Sequence, residues 1–461
     1  MKKVLLLALA GILATTAFTG CGKVDKKAVT DSDNTSISIG NWPPENQPAE
    51  LDAANAKIDK MKKLYPNITV TPDNWVYTVD SFLPKASSNQ LPTVYNTWFT
   101  DVQKIVDAGY AADITEYMQK NGYIDAISDQ TKKMVSKDGK YYGIPTDAYA
   151  MGLFINMNLF KQAGLVNPDG TPIIPQTYEE LAKTAATIKE KTGKAGMVLP
   201  TINNCGGWHF MNIAWSYGTE FIKKNGAKYE SAFASEEGIK ALQYVKDLKW
   251  KYNALPDNSL VDIPEMQKLF ATDQAAMFFS APSGDELISV YKMNKDNIAM
   301  GSLPAGEKGR YSLMGGNLVM LSPDATPSEI DAAFKWFELD GKSPKVSDDT
   351  KASWDSKYKL ANERNLIVGI KPYEIWGDSD RAKQEDEIRK KYLNVNLDLF
   401  KEYSEFKDVQ IHAEEPVCCQ ELYKTLDSCI QAVLTDKNAD PAKLMTQAAS
   451  DFQKNYLDNL E

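Results

Sequence analysis

The residues of this sequence that could do chemistry are rings and amides rather than nucleophiles or metal ligands. Asn41 and Trp42, Asn96 and Trp98, Asp147 and Tyr149, Trp208 and Trp215, Ser280, and Gly316 with Asn317 cluster at loop positions and segment ends. A Trp or Tyr ring offers a flat apolar face, while Asn, Asp and Ser supply donors and acceptors. Together they suit a neutral sugar, whose C–H faces pack on rings and whose hydroxyls need partners of both polarities. Loop position after a strand favours a cleft for Trp42, Trp98 and Asp147. Trp215 is equally suited to a core, and Trp250 and Trp336, on helical faces, read as core. Tyr373, Trp376 and Asp378 lie in an irregular stretch that could form a rim.

Catalysis has less to stand on. His209 and His412 are the two histidines, no Gly-x-Ser-x-Gly or His-Glu-x-x-His run accompanies them, and they read as hydrogen-bonded structural residues. A glycosidase places two carboxyls about 5–10 Å apart across a cleft, usually from different elements. The adjacent acids Glu179-Glu180, Asp348-Asp349 and Glu414-Glu415 read instead as solvated faces or caps. No Gly-rich phosphate loop and no Cys-x-x-Cys pair occurs, so neither a cofactor nor a metal is expected. Cys429 with Cys418 or Cys419 is a candidate disulfide, and free thiols are an equal alternative. A net charge of −10 without a basic run argues against nucleic acid as a partner.

Strands and helices must position these side chains. At 461 residues the chain is long enough for two domains. Ser36–Gly40 alternates polar and apolar residues, a strand signal that stops at Asn41-Trp42-Pro43-Pro44. A helix then starts near Pro48, Pro66 ends it, and Ile68-Thr69-Val70-Thr71 forms the next strand. That order is a parallel crossover, which puts the loop holding Trp42 at the carboxyl edge of the sheet. Leu91–Asn96 reads as a third strand leading to Trp98. Asp138-Gly139 is a turn signal, followed by an extended Lys140–Pro145, an apolar strand over 151–155 and a helix start. Thr177 with Glu180 and Thr326 with Glu329 read as capping boxes, Ser235 starts another helix, and Asp440-Pro441 opens the last one.

Several of these segments resemble the extracellular solute-binding protein family 1, the carbohydrate group that serves ABC importers. The matching residues are Asp138-Gly139-Lys140-Tyr141-Tyr142-Gly143-Ile144-Pro145; Asn156, Leu159, Phe160, Ala163 and Gly164; Ala108–Thr115; Pro175–Leu181; Leu269–Phe279, with Asp273 where the family has Gly; and Gly315-Gly316. They run in order to about Leu339. The resemblance implies an α/β, two-lobe periplasmic-binding-protein-like fold of type II, each lobe a mixed, mostly parallel sheet flanked by helices. It places lobe one at 36–146 plus 279–315 and lobe two at 147–278 plus 316–461. It implies a monomer that binds a carbohydrate and docks on ABC permease transmembrane subunits, and no enzyme. A lipid-anchored glycoside hydrolase or lyase, or a receptor for a non-sugar solute, is the alternative.

Residues 1–20 carry two early lysines and an apolar stretch too short to span a bilayer, and read as a lipoprotein signal peptide. Phe18-Thr19-Gly20-Cys21 resembles a lipobox, which makes Cys21 the lipidated residue and anchors the protein outside the cytoplasm, on the bacterial cell membrane, through lipid alone. Residues 21–35 are polar and read as a flexible tether.

Overall fold

The computed structural model describes residues 34–226, 228–282, 284–370 and 373–460; the expected signal peptide, Cys21 and all but the end of the expected tether lie outside them. Strands β1 (Thr35–Ile39), β2 (Ile68–Pro72) and β3 (Val94–Trp98) come first. They are followed by a hairpin of β4 (Ser136–Lys137) and β5 (Lys140–Tyr141), then β6 (Gly143–Ala150) and β7 (Gly152–Asn156). A second hairpin, β8 (Ile222–Asn225) and β9 (Lys228–Ser231), precedes β10 (Met277–Ser280), β11 (Ile298–Ser302), β12 (Arg310–Leu321) and β13 (Val409–Ala413). The expected crossover is present: β1 pairs in parallel with both β2 and β3. Between β1 and β2 lies the helix Pro48–Leu64, with proline in its first turn, where a missing N–H costs nothing.

Two sheets divide the molecule. One has the order β13-β12-β3-β1-β2, with β6 also on β12; the other is β10-β7-β11. Their cores are separate: Ile37, Tyr95, Ile144, Leu318 and Phe334 belong to the first, and Phe154, Met211, Phe278, Met300 and Leu426 to the second. The core residues of lobe one fall within 37–148 and 314–376, and those of lobe two within 151–313 and 399–457.

This corrects two sequence expectations. Residues 279–313 belong to lobe two, because β10 and β11 flank β7 and close its core; residues 314–339, with Ile375 and Trp376, belong to lobe one, where β12 bonds to β3 and β6, while Trp354, Tyr358, Val368 and Ile388 form a small cluster of their own. The sheet of lobe one is mixed as expected. The three strands of lobe two are antiparallel, since β10 and β11 both run against β7.

The chain passes between lobes where β6 gives way to β7, around Ala150-Met151, again inside β12, where Leu313 lies in one core and Met314 in the other, and a third time between Trp376 and Leu399. The paired strands β6 and β12 therefore carry two of the three crossings. Just upstream, Asp138 (φ 50°) and Gly139 (φ 76°) form the two-residue turn of the first hairpin, both left-handed as such turns require. Downstream, Asn156 caps the helix Met157–Ala163 by accepting from the N–H groups of Asn158 and Leu159, and Gly164 ends it at φ 70°. Asp273, which stands where the family has Gly, adopts φ 57° and takes hydrogen bonds from Asn156 and Asn158. Thr326 and Glu329 complete a reciprocal capping box. At Thr177 only half of one forms, because Glu180 reaches the N–H of Gln176 instead.

Candidate functional site

A cleft of about 480 Å³ lies between the lobes. Lobe one supplies Trp98 at the end of β3, Thr100, and Gly316-Asn317 from β12. Lobe two supplies Tyr149, Asn203, Asn204, Trp208, Glu414, Gln420 and Tyr423. Trp98 is 39% exposed, large for an indole, and is held edge-on by Tyr77 at 5.3 Å. Across the cleft Tyr149 and Trp208 meet edge to face at 6.4 Å. Ring faces on two sides, with amides between them, can stack on a ligand and hydrogen-bond to it.

Local sequence explains the lobe-two wall. Trp208 rides on the helix Cys205–Tyr217, which packs against the helix Cys419–Thr435 with no room for side chains at the contact. A Cβ on Gly207 would lie 2.3 Å from the Tyr423 carbonyl oxygen, and one on Gly206 would lie 2.7 Å from Asp427 Oδ1. The Asp427 carboxylate accepts from the N–H groups of Asn204 (2.8 Å) and Gly207 (2.7 Å), satisfying the helix start from the neighbouring helix. Asn203 and Asn204 are left-handed, at φ 61° and 65°, which turns the chain at the cleft edge. On the other wall, a Cβ on Gly315 would fall 2.3 Å from the Tyr149 hydroxyl, and one on Gly316 would fall 2.4 Å from the Asp147 carbonyl. The glycine pair lets β6 approach β12. Asn317 Nδ2 donates to Asp147 Oδ1 (2.9 Å) and Oδ2 (3.1 Å), fixing both side chains.

Burial pushes the Glu414 carboxyl up to about 8, with Asp101 adding to the rise, and Tyr423 donates to Glu414 Oε1. Glu415, also buried, is pushed to about 8. Both were read from sequence as solvated; burial against the Cys419–Thr435 helix overrides that reading. His209 is buried with each ring nitrogen against a backbone carbonyl, of Cys205 at 2.7 Å and Phe279 at 3.0 Å, and desolvation lowers it to about 4. It is structural. The Cys205 thiol faces the cleft but is raised to about 11 by burial and then by Asp427, which leaves little thiolate at neutral pH. All four described cysteines are free thiols. Among the described residues no cluster of three His, Cys, Asp or Glu could hold a metal ion.

Of the residues singled out by sequence, Trp98, Tyr149, Trp208, Gly316 and Asn317 line this cleft. Asp147 joins it through Asn317. Asn41, Trp42 and Asn96 line a different cavity of about 330 Å³ within lobe one. Trp42 is buried there, 5.9 Å from Trp336. Trp215 is buried and stacked on His412 at 4.0 Å, so it is core. Ser280 ends β10 opposite Gly152, outside the residues that line the cleft.

The sequence profile of the bacterial extracellular solute-binding proteins matches residues 46–339. The chain belongs to this family. The binding protein of Brucella abortus is 26% identical to this solute-binding protein over 54% of the chain, and the match spans 58% of that relative's length. The arabinooligosaccharide-binding protein of Bacillus subtilis is 21% identical over 74% of each chain. Among solved structures, the GacH receptor of Streptomyces glaucescens superposes with a TM-score of 0.66 at 18% identity, covering 93% of this chain and all of that one. It shares the two-lobe fold of type II.

Sequence reasoning missed Thr100, Asn203, Asn204, Glu414, Gln420 and Tyr423 in this solute-binding protein. The one local signal was Asn203-Asn204 ahead of Gly206-Gly207, a left-handed turn before a closely packed helix. Gln420 and Tyr423 come from a helix that reaches the cleft only through the tertiary fold.

Proposed function

We propose that this chain captures a sugar or oligosaccharide between its lobes and hands it to an ABC permease. The observation that carries the reading is the pair of opposed walls: Trp98 and Asn317 from one lobe, Trp208, Tyr149, Asn203 and Asn204 from the other. Such walls take the C–H faces and hydroxyls of a neutral sugar, and closure about the β6–β12 connection would bring both onto it. Asn41, Trp42, Asp147 and Asn96 then serve the architecture around the cleft or its margins. The name of the Bacillus relative points the same way. A half-buried Glu414 held protonated at neutral pH is also what a general acid would offer, so a glycoside hydrolase is the second reading.

Thermal shift against a panel of neutral oligosaccharides, with product analysis by mass spectrometry, separates the two. Stabilisation with the sugar recovered intact is expected; cleavage products would favour the hydrolase, and no response across the panel would remove the ligand class. The proposed anchor is Cys21, so Cys21→Ala should release the protein from the membrane fraction in a bacterial host. Retention at the wild-type level would remove the lipid anchor.

A further inference from the structure

A second cavity of about 220 Å³ adjoins the cleft on the far side of Asp147, lined by Thr146, Asp147 and the segments around Trp354, Trp376 and Arg381. In the sheet, Asn317 stands opposite Trp98 on one side and opposite Asp147 on the other. Residues directly opposite one another share a face, so Trp98, Asn317 and Asp147 form one transverse row. The row starts in the cleft and ends in this second cavity.

Arg381 gives the cavity its chemistry. It is 6% exposed, with its guanidinium held between the rings of Trp354 (4.9 Å) and Trp376 (4.5 Å). Nη2 donates to the Gly341 carbonyl at 2.9 Å, while Nε and Nη1 have no acceptor from the protein. The two rings flank the group. A buried charged donor without an acceptor is costly, so an acceptor supplied by a ligand would stabilise it.

The charges around it decide what arrives. Four carboxylates and three cations line the cavity, so it carries no surplus of positive charge. Glu374 and Glu385 lie close enough to act on Arg381 electrostatically. An anion would face those carboxylates; a hydroxylated neutral ring accepts from Arg381 and donates to them. Resting on the sugar reading above, we infer that this compartment holds a second, neutral sugar unit of the same ligand. The solute is then an oligosaccharide whose chain passes over the Asn317–Asp147 pair.

Calorimetric titration with starch-, cellulose-, xylan- and arabinan-derived oligosaccharides and their monosaccharides tests this. The wild type should bind a chain of the preferred series at least ten-fold tighter than its monosaccharide. Arg381→Met should remove most of that gain, on the order of ten-fold, and leave monosaccharide affinity unchanged. Ala382→Leu, which narrows the compartment without touching the guanidinium, should do the same if Arg381→Met does not fold. Equal wild-type affinity for chain and monosaccharide would overturn the inference and spare the sugar reading. So would equal losses at every length in the variants, or tighter binding of a chain ending in a uronic acid than of its neutral counterpart. No binding by the wild type to any sugar would instead remove the sugar reading itself.

Discussion

Two tryptophans in lobe one carry the same sequence signal and end up in different places. Trp42 follows β1 and Trp98 closes β3, and these neighbouring parallel strands end on the same sheet edge. Trp98 is 39% exposed on the cleft; Trp42 is 6% exposed against Trp336. The difference comes from what covers each edge. The helix Pro327–Leu339 brings Trp336 over the end of β1, while the end of β3 faces the other lobe. A strand's carboxyl end locates the functional edge of a sheet, and the next layer decides which residues on it stay open.

The largest effect should come from Trp42. Trp42→Ala removes a buried ring from a packed site and should cost about 3–5 kcal/mol of stability in urea unfolding. Stability close to wild type, with sugar affinity lost, would return Trp42 to the site and break the comparison. Trp98→Ala comes next. It should weaken sugar binding by about ten- to a hundred-fold, with unfolding little changed, because an exposed ring contributes mainly to what it stacks on. Collapse of folding in this variant would make the two residues alike.

The architecture was legible where pattern and packing agree. The β1 crossover, the Asp138-Gly139 turn, the Asn156 cap and the Thr326 capping box are local, and each formed. Lobe membership was not legible, because the direction in which β10, β11 and β12 pair depends on strands more than a hundred residues away. Trp98, Tyr149, Trp208, Gly316 and Asn317 were visible in the sequence as rings, amides and a glycine pair, whereas Thr100, Asn203 and Asn204 were not. Glu414, Gln420 and Tyr423 come from the helix Cys419–Thr435 and the segment before it, whose burial no local pattern announces.

The two regions should also differ in their response to pH. Glu415 in lobe two is raised from an ordinary value of 4.5 to about 8 by burial. Its folded form keeps a proton that the unfolded chain releases, so its stabilising contribution is complete below about pH 4.5 and is lost as pH rises to about 8. Asp340, beside the Trp42 cavity, goes the other way: burial opposes the shift, but Lys342 and Lys57 hold it below its usual 3.8. Its contribution is present above that value and is lost as pH falls below it. In urea unfolding across pH, Glu415→Gln should flatten the decline between about 4.5 and 8, and Asp340→Asn the loss below about 4. An unchanged profile in either variant would show that the carboxyl's folded environment does not hold it as described.

The smallest effect sharpens the comparison most, because it probes the residue beside Trp42 without disturbing the core. Asn41 is exposed and left-handed at φ 57°, a conformation that glycine adopts freely and Asn only at some cost. Its backbone N–H already donates to the Trp75 carbonyl at 2.8 Å, a bond that Asn41→Gly keeps. The substitution removes the strain and one amide, while glycine's freedom in the unfolded chain offsets part of the gain. Stability should therefore change by no more than about 1 kcal/mol, and sugar affinity should stay at the wild-type value. A loss of affinity without a loss of stability would mean that the Asn41 amide reaches the ligand. The end of β1 would then join the end of β3 in the site, with Trp42 as the buried support beneath it.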